Sequence, residues 1–156
     1  MISSTVTIIS LRPAVDRPLE LDLKHILHAL RPFLSEWVWC IQKVDWLGDD
    51  SSEDVCQKVA GMGANGLWIS SDALLESVNK VYQTIEGDFL AFPIATDPRV
   101  LPLKEIELKY FPTSSAVLAI VAIDGSFFEV YTKDAKHIEA LQVFEGIQYE
   151  NPNLYF

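Results

Sequence analysis

Cysteine is nearly absent from this sequence, and so is any long hydrophobic run. The two cysteines, Cys40 and Cys56, make no disulfide framework, and their surroundings read as a strand and a helix. Both are expected to be reduced thiols in a cytoplasmic protein. No stretch approaches the roughly eighteen uninterrupted apolar residues that a membrane span needs. The first ten residues have no basic n-region and no cleavage site, so a first strand is expected there and a signal peptide is not. Basic residues are scarce as well: 12 stand against 22 acidic ones, for a formal net charge of −10. A surface this acidic repels phosphate backbones and anionic headgroups, which argues against nucleic acid and membrane as partners. A basic protein is the natural opposite, although acidity also serves solubility.

Catalytic and ligand-binding signatures are missing too. Gly61-x-Gly63-x-x-Gly66 has the spacing of a dinucleotide-binding loop, but that chemistry needs a strand before the glycines and a helix after them. Here the pattern is helix first and strand second, so the glycines read as a connecting loop. His25 and His28 lie three apart on a helical stretch, yet His137 is remote and neither cysteine has ligand spacing, so no metal site is expected. There is no Gly-x-Ser-x-Gly elbow and no cysteine-nucleophile signature. The serine pairs at 3–4, 51–52, 70–71 and 114–115 stand where caps and turns want them. With 22 acids, a pair of carboxylates suited to glycosidic chemistry can arise by accident. The chain is therefore read as a protein without catalytic residues or cofactor. A small enzyme or ligand-binding domain, its pocket assembled from distant residues, is the alternative.

What is present is globular: 49% hydrophobic and 22% charged residues over 156 positions, enough for one domain with a real core. Thr5–Leu11 alternates as a strand, and Pro13 and Pro18 punctuate the connection after it. Leu21, Leu23, Ile26, Leu27, Leu30 and Leu34 recur at helical spacing, which predicts a helix over 20–34 that Pro32 ends or kinks. Aromatic and β-branched residues over 36–47 predict a strand, followed by a turn and a helix capped by Ser51 or Ser52. Leu67–Ile69 reads as a short strand. A helix from Ser71 carries Leu74, Leu75, Val78, Val81 and Tyr82, and strands are expected at 88–92 and 106–111. Residues 116–123 and 127–132 flank Asp124-Gly125, a hairpin turn, and a last helix spans 134–144. The expected fold is α+β: a mainly antiparallel or mixed sheet with three to four helices on one face, in a single domain over 1–149. The final residues, Glu150 to Phe156, look partly like a protease-cleavable purification tag and are set apart as a tail.

Most tryptophans read as core. Trp46 is the exception, because Asp45, Asp49 and Asp50 surround it and strand alternation puts it opposite Trp37 and Trp39 unless a bulge intervenes. An exposed aromatic ringed by carboxylates suits a surface for a basic protein; the plainer explanation is a solvated turn. The candidate partner-binding residues are thus Asp45, Trp46, Asp49, Asp50, Glu53 and Asp54.

Two segments carry a family resemblance. Ser71-Asp-Ala-Leu-Leu-Glu-Ser-Val-Asn-Lys-Val-Tyr-Gln-Thr-Ile-Glu-Gly-Asp-Phe-Leu-Ala-Phe92 resembles the helix and "Ile-acid-Gly-x-Phe" strand start of small bacterial immunity proteins that neutralise polymorphic or contact-dependent toxins. Val121-Ala-Ile-Asp-Gly-Ser-Phe-Phe-Glu-Val-Tyr-Thr-Lys-Asp134 is similar to their closing hairpin. The two cover roughly a quarter of the chain, and none of the first forty residues. The resemblance implies a cytoplasmic protein that binds a cognate toxin and blocks its active site or assembly. It transfers no catalytic and no toxin-binding residue.

Overall fold

The computed structural model describes residues 5–16 and 21–156. Its eleven regular elements, in chain order, are β1 (Thr7–Leu11), α1 (Leu23–Ala29), β2 (Trp37–Gly48), α2 (Asp50–Met62), β3 (Leu67–Ser70), α3 (Ser71–Val78), β4 (Val81–Pro93), β5 (Leu118–Ile123), β6 (Phe127–Thr132), α4 (Ala135–Ala140) and β7 (Gln148–Glu150). The strands form one seven-stranded sheet in the order β3-β2-β4-β5-β6-β1-β7, and every pairing is antiparallel. The four helices all contribute to a core on one face of it, so the α+β reading holds. The edges are short, four residues in β3 and three in β7, which limits unwanted pairing.

Alternation along the strands fills both faces. Ile9, Leu11, Trp39, Ile41, Phe89, Ile120 and Val130 point into the helix-covered core with Leu23, Leu27, Leu74 and Leu141. Ile8, Cys40, Leu90, Phe92, Ala119 and Tyr131 point the other way, where the connection between β4 and β5 lays Ile106 and Phe111 over them. Residues 106–111, expected as a strand, are instead two 3₁₀ turns (Leu103–Ile106 and Leu108–Thr113). Pro112 lacks the N–H a ladder needs. Ile106 and Phe111, five residues apart, both turn inward and are 2% and 0% exposed.

Other boundaries also moved. The helix from Ser71 ends at Val78, and Val81 and Tyr82 open the thirteen-residue β4, with Gly87 inside the strand rather than before it. A Cβ at Gly87 would lie 2.5 Å from the Phe89 ring, so close packing fixes this position as glycine. Helix α1 is shorter than expected, and Pro32 sits in a 3₁₀ turn at 31–36; the expected start at Glu20, with Pro18, lies outside the described residues. Asp124 and Gly125 have φ of 51° and 66°, as the hairpin turn between β5 and β6 requires. That hairpin lies inside the sheet and not at its edge.

The tail is packed against the domain. Glu150 closes β7, and its Oε1 accepts a hydrogen bond from Ser10 Oγ at 3.0 Å. The rings of Tyr155 and Phe156 meet Tyr131 edge-on at 5.8 and 5.9 Å. Among the described residues no helix is long and apolar enough to cross a membrane.

Candidate functional site

Strand β2 carries the first candidate residues. Its register against β4 shifts between Ile41 and Lys43, leaving Gln42 as an extra, bulged residue. Beyond the bulge the alternation is inverted. Trp46 therefore joins Trp37 and Trp39 on the helix-covered face, and the expectation that it is exposed is corrected. It is 3% exposed, its ring stacks on Phe89 at 6.2 Å, and its Nε1 donates to the Ser52 carbonyl at 2.7 Å. A buried indole N–H needs such a partner, and the first turn of α2 supplies it.

The carboxylates behave differently from one another. Asp49, not Ser51 or Ser52, is the N-cap of α2, accepting from the backbone N–H of Ser51 and Ser52 at 3.1 and 3.2 Å and from the Ser51 hydroxyl at 2.6 Å. The Ser51 hydroxyl, followed by those backbone donors, holds the Asp49 carboxyl below its usual range. Asp50 and Glu53 occupy the first turn of α2, where helix-dipole complementarity accounts for negative charge without a partner. Asp45 stands directly opposite Glu86 across the β2–β4 ladder. Asp45 and Glu53 both raise the half-buried Cys56 thiol, although burial raises it more. Asp45, Asp50, Glu53, Asp54 and Glu86 are exposed, and none forms an ion pair with a described residue. The structure thus gathers Asp45, Glu53 and Glu86 about the β2–α2 junction, assigns Asp49 to capping and withdraws Trp46 into the core. Glu86 lay outside the sequence-based set because only the strand register pairs it with Asp45.

A second site was not visible in the sequence. Where β2 and β5 begin and β4 and β6 end, a groove of about 930 Å³ opens. Four further depressions measure about 130 to 320 Å³. Its apolar wall comes from Phe33, Pro93, Ile94 and Val117, with Ile94 58% exposed. Its floor holds His137, whose ring meets Phe33 and Trp37 edge-on at 4.8 and 5.1 Å. His137 Nδ1 is hydrogen-bonded to the Thr132 hydroxyl at 2.6 Å, and burial holds its pKa below the usual imidazole value. Lys133 also lines the groove. Its ammonium donates to the carbonyls of Ser114 and Ala116 at 2.6 and 2.7 Å and lies 4.6 Å from the centre of the Phe111 ring. Burial pushes this lysine below its usual value. Lys133 forms no close ion pair with a described residue, but the Glu105 carboxylate, which accepts from the Ser115 backbone N–H at 2.8 Å, acts on it against burial.

The remaining candidates are occupied structurally. His25 Nδ1 accepts from the backbone N–H of Asp22 at 2.8 Å, at the start of α1. Cys40 is fully buried, and burial pushes its thiol up to about 12. Among the described residues no group of three or more His, Cys, Asp and Glu is placed to hold a metal. The glycine loop runs from the end of α2 through a 3₁₀ turn into β3, so a strand and not an α-helix follows the glycines. Comparison with family models, with curated proteins and with solved structures gave no match.

Proposed function

We propose that this protein is an immunity-type inhibitor that captures a basic bacterial toxin in the cytoplasm through the carboxylates around the β2–α2 junction. The observation that carries the reading is the exposed pair Asp45 and Glu86, set opposite each other with no ion pair to a described residue. Like charges directly opposed on a sheet are unfavourable. Helix capping does not require them, whereas a cationic partner would relieve them. Asp54 and the net charge of −10 extend the same field, which would steer a basic protein and speed its association. The resemblance of residues 71–92 and 121–134 to small immunity proteins supports the same class.

The test begins with recovery of the protein from its native lysate at low and at high salt, with mass spectrometry of what is retained. A single basic, toxin-like partner that salt weakens is the expected result. The triple variant Asp45→Lys, Asp54→Lys, Glu86→Lys spares the Asp49 cap, so slower association can be assigned to charge and not to unfolding. Association at unchanged rate, with protection from the toxin intact, would remove these residues from the interface.

A second reading, a ligand-binding domain or small enzyme, is favoured by the groove at the Trp37 end, where apolar walls and convergent polar groups meet in one depression.

A further inference from the structure

We propose that this groove binds an amphipathic organic monocarboxylate, with the carboxylate on the Lys133 ammonium and the apolar body against Phe33, Pro93, Ile94 and Val117. The inference rests on the ligand-binding reading and gives the site a ligand class. Size fits first: about 930 Å³ lies within the range of small-ligand sites, roughly 300 to 1,000 Å³. The frame is rigid, because backbone bonds of 2.8 Å continue the ladder at its rim, from Ile94 N to Glu36 O and from Val117 N to Ala91 O.

Charge selects the ligand. A lysine ammonium has three donors, and the carbonyls of Ser114 and Ala116 take two of them. Those acceptors are neutral, so they orient the ammonium without cancelling its charge. No described residue hydrogen-bonds the third donor. A half-buried cation with a remaining donor, in a protein of net charge −10, marks the place for an anion. Two acids also line the groove. The Asp134 carboxylate is committed to the Lys136 backbone N–H at 2.9 Å, and Glu36 is exposed at the rim. Lys136 is exposed as well. Glu105 acts on Lys133 from outside the groove, with its carboxylate engaged by the Ser115 N–H at 2.8 Å, and Lys133 is the half-buried one of the two lysines that line the groove. One half-buried ammonium, with no arginine among the lining residues, suits a single carboxylate better than a phosphate.

The experiment is a titration of the full chain with 2-naphthoate, followed by amide and indole NMR shifts, with 2-naphthamide as the uncharged control. Saturable shifts at the Trp37 indole, Val117 and His137 are expected, with a dissociation constant of about 1 mM or tighter. The amide should bind at least tenfold more weakly. Lys133→Met should remove the preference for the anion. Because that substitution also releases two carbonyls, Ile94→Glu provides a second variant: it alters only an exposed rim residue and should abolish naphthoate binding with folding unchanged. No saturable shift, equal binding of acid and amide, or normal binding by Ile94→Glu would overturn the proposal. None of Asp45, Asp54 and Glu86 lines the groove, so failure here is distinct from failure of the acidic interface.

Discussion

The indole N–H of Trp46 donates to the Ser52 carbonyl at 2.7 Å, so the residue beside the acidic turn pins helix α2 to strand β2. Its role is structural, and substitution should read out in stability. Trp46→Phe keeps the stacking on Phe89 but removes the indole's hydrogen bond to a carbonyl that already accepts within α2, which is expected to cost about 0.5–1.5 kcal/mol. Trp46→Ala should cost about 3–5 kcal/mol, because the ring leaves a cavity. Urea unfolding with an unchanged slope would measure both. An unchanged midpoint in Trp46→Ala would mean that the ring is not part of the core.

Trp46 also shows how far the sequence could be read. Aromatic and β-branched content located the long β2, a turn followed by capping serines located α2, the Asp124-Gly125 turn located the β5–β6 hairpin, and helical spacing located α3. A bulge is a two-against-one event between strands, and nothing local to Gln42 announces it. Inverting the alternation there reversed the reading of Trp46. Residues 106–111 failed for a different reason: the sheet needs a cover for Cys40, Leu90 and Tyr131, and that demand is tertiary. The acidic residues were legible, but the pairing of Asp45 with Glu86 depends on register. The groove was not legible at all, since its lining comes from four separated segments, each ordinary by itself.

Asp45 and Glu86 should lower stability while serving binding. Replacing either by lysine turns an opposed like pair into an opposite pair, and a gain of about 0.2–1 kcal/mol is expected. Thermal unfolding at low salt should show the gain and added salt should reduce it. A single substitution that raises stability and slows capture of a basic partner would separate the two effects. A loss of stability would show that the carboxylates make contacts beyond mutual repulsion.

His137 should make stability depend on pH. Burial lowers its pKa from the usual 6.5, so the folded protein holds the ring neutral while the unfolded chain protonates it. Between 6.5 and the folded value the unfolded state binds more protons, so stability falls as pH drops through that window and levels off below it. His137→Gln should flatten this slope in urea midpoints measured across the acidic range. A slope that survives the substitution would assign it to another group.

Glu129 tests whether the C-terminal residues belong to the fold. Its carboxylate is 7% exposed and accepts hydrogen bonds from Tyr131 at 3.3 Å and from Tyr155 at 2.5 Å. A carboxylate this buried, served only by hydroxyls, depends on each of them. The bond to Glu129 raises the Tyr155 phenol to about 12, followed by partial burial. Removing the hydroxyl in Tyr155→Phe should cost about 1.5 kcal/mol, the lower end for a bond to a charged group because Tyr155 is partly solvated. Glu129→Gln removes the buried charge, so the cost of Tyr155→Phe should shrink in that background. A double-mutant cycle measures the coupling, for which about 0.5–1 kcal/mol is expected. Zero coupling, or deletion of residues 151–156 without loss of stability, would mean that the tail only rests on the sheet. A coupling of the expected size would make Tyr155 the closure of the second core, with Tyr131 as its bridge to Phe111.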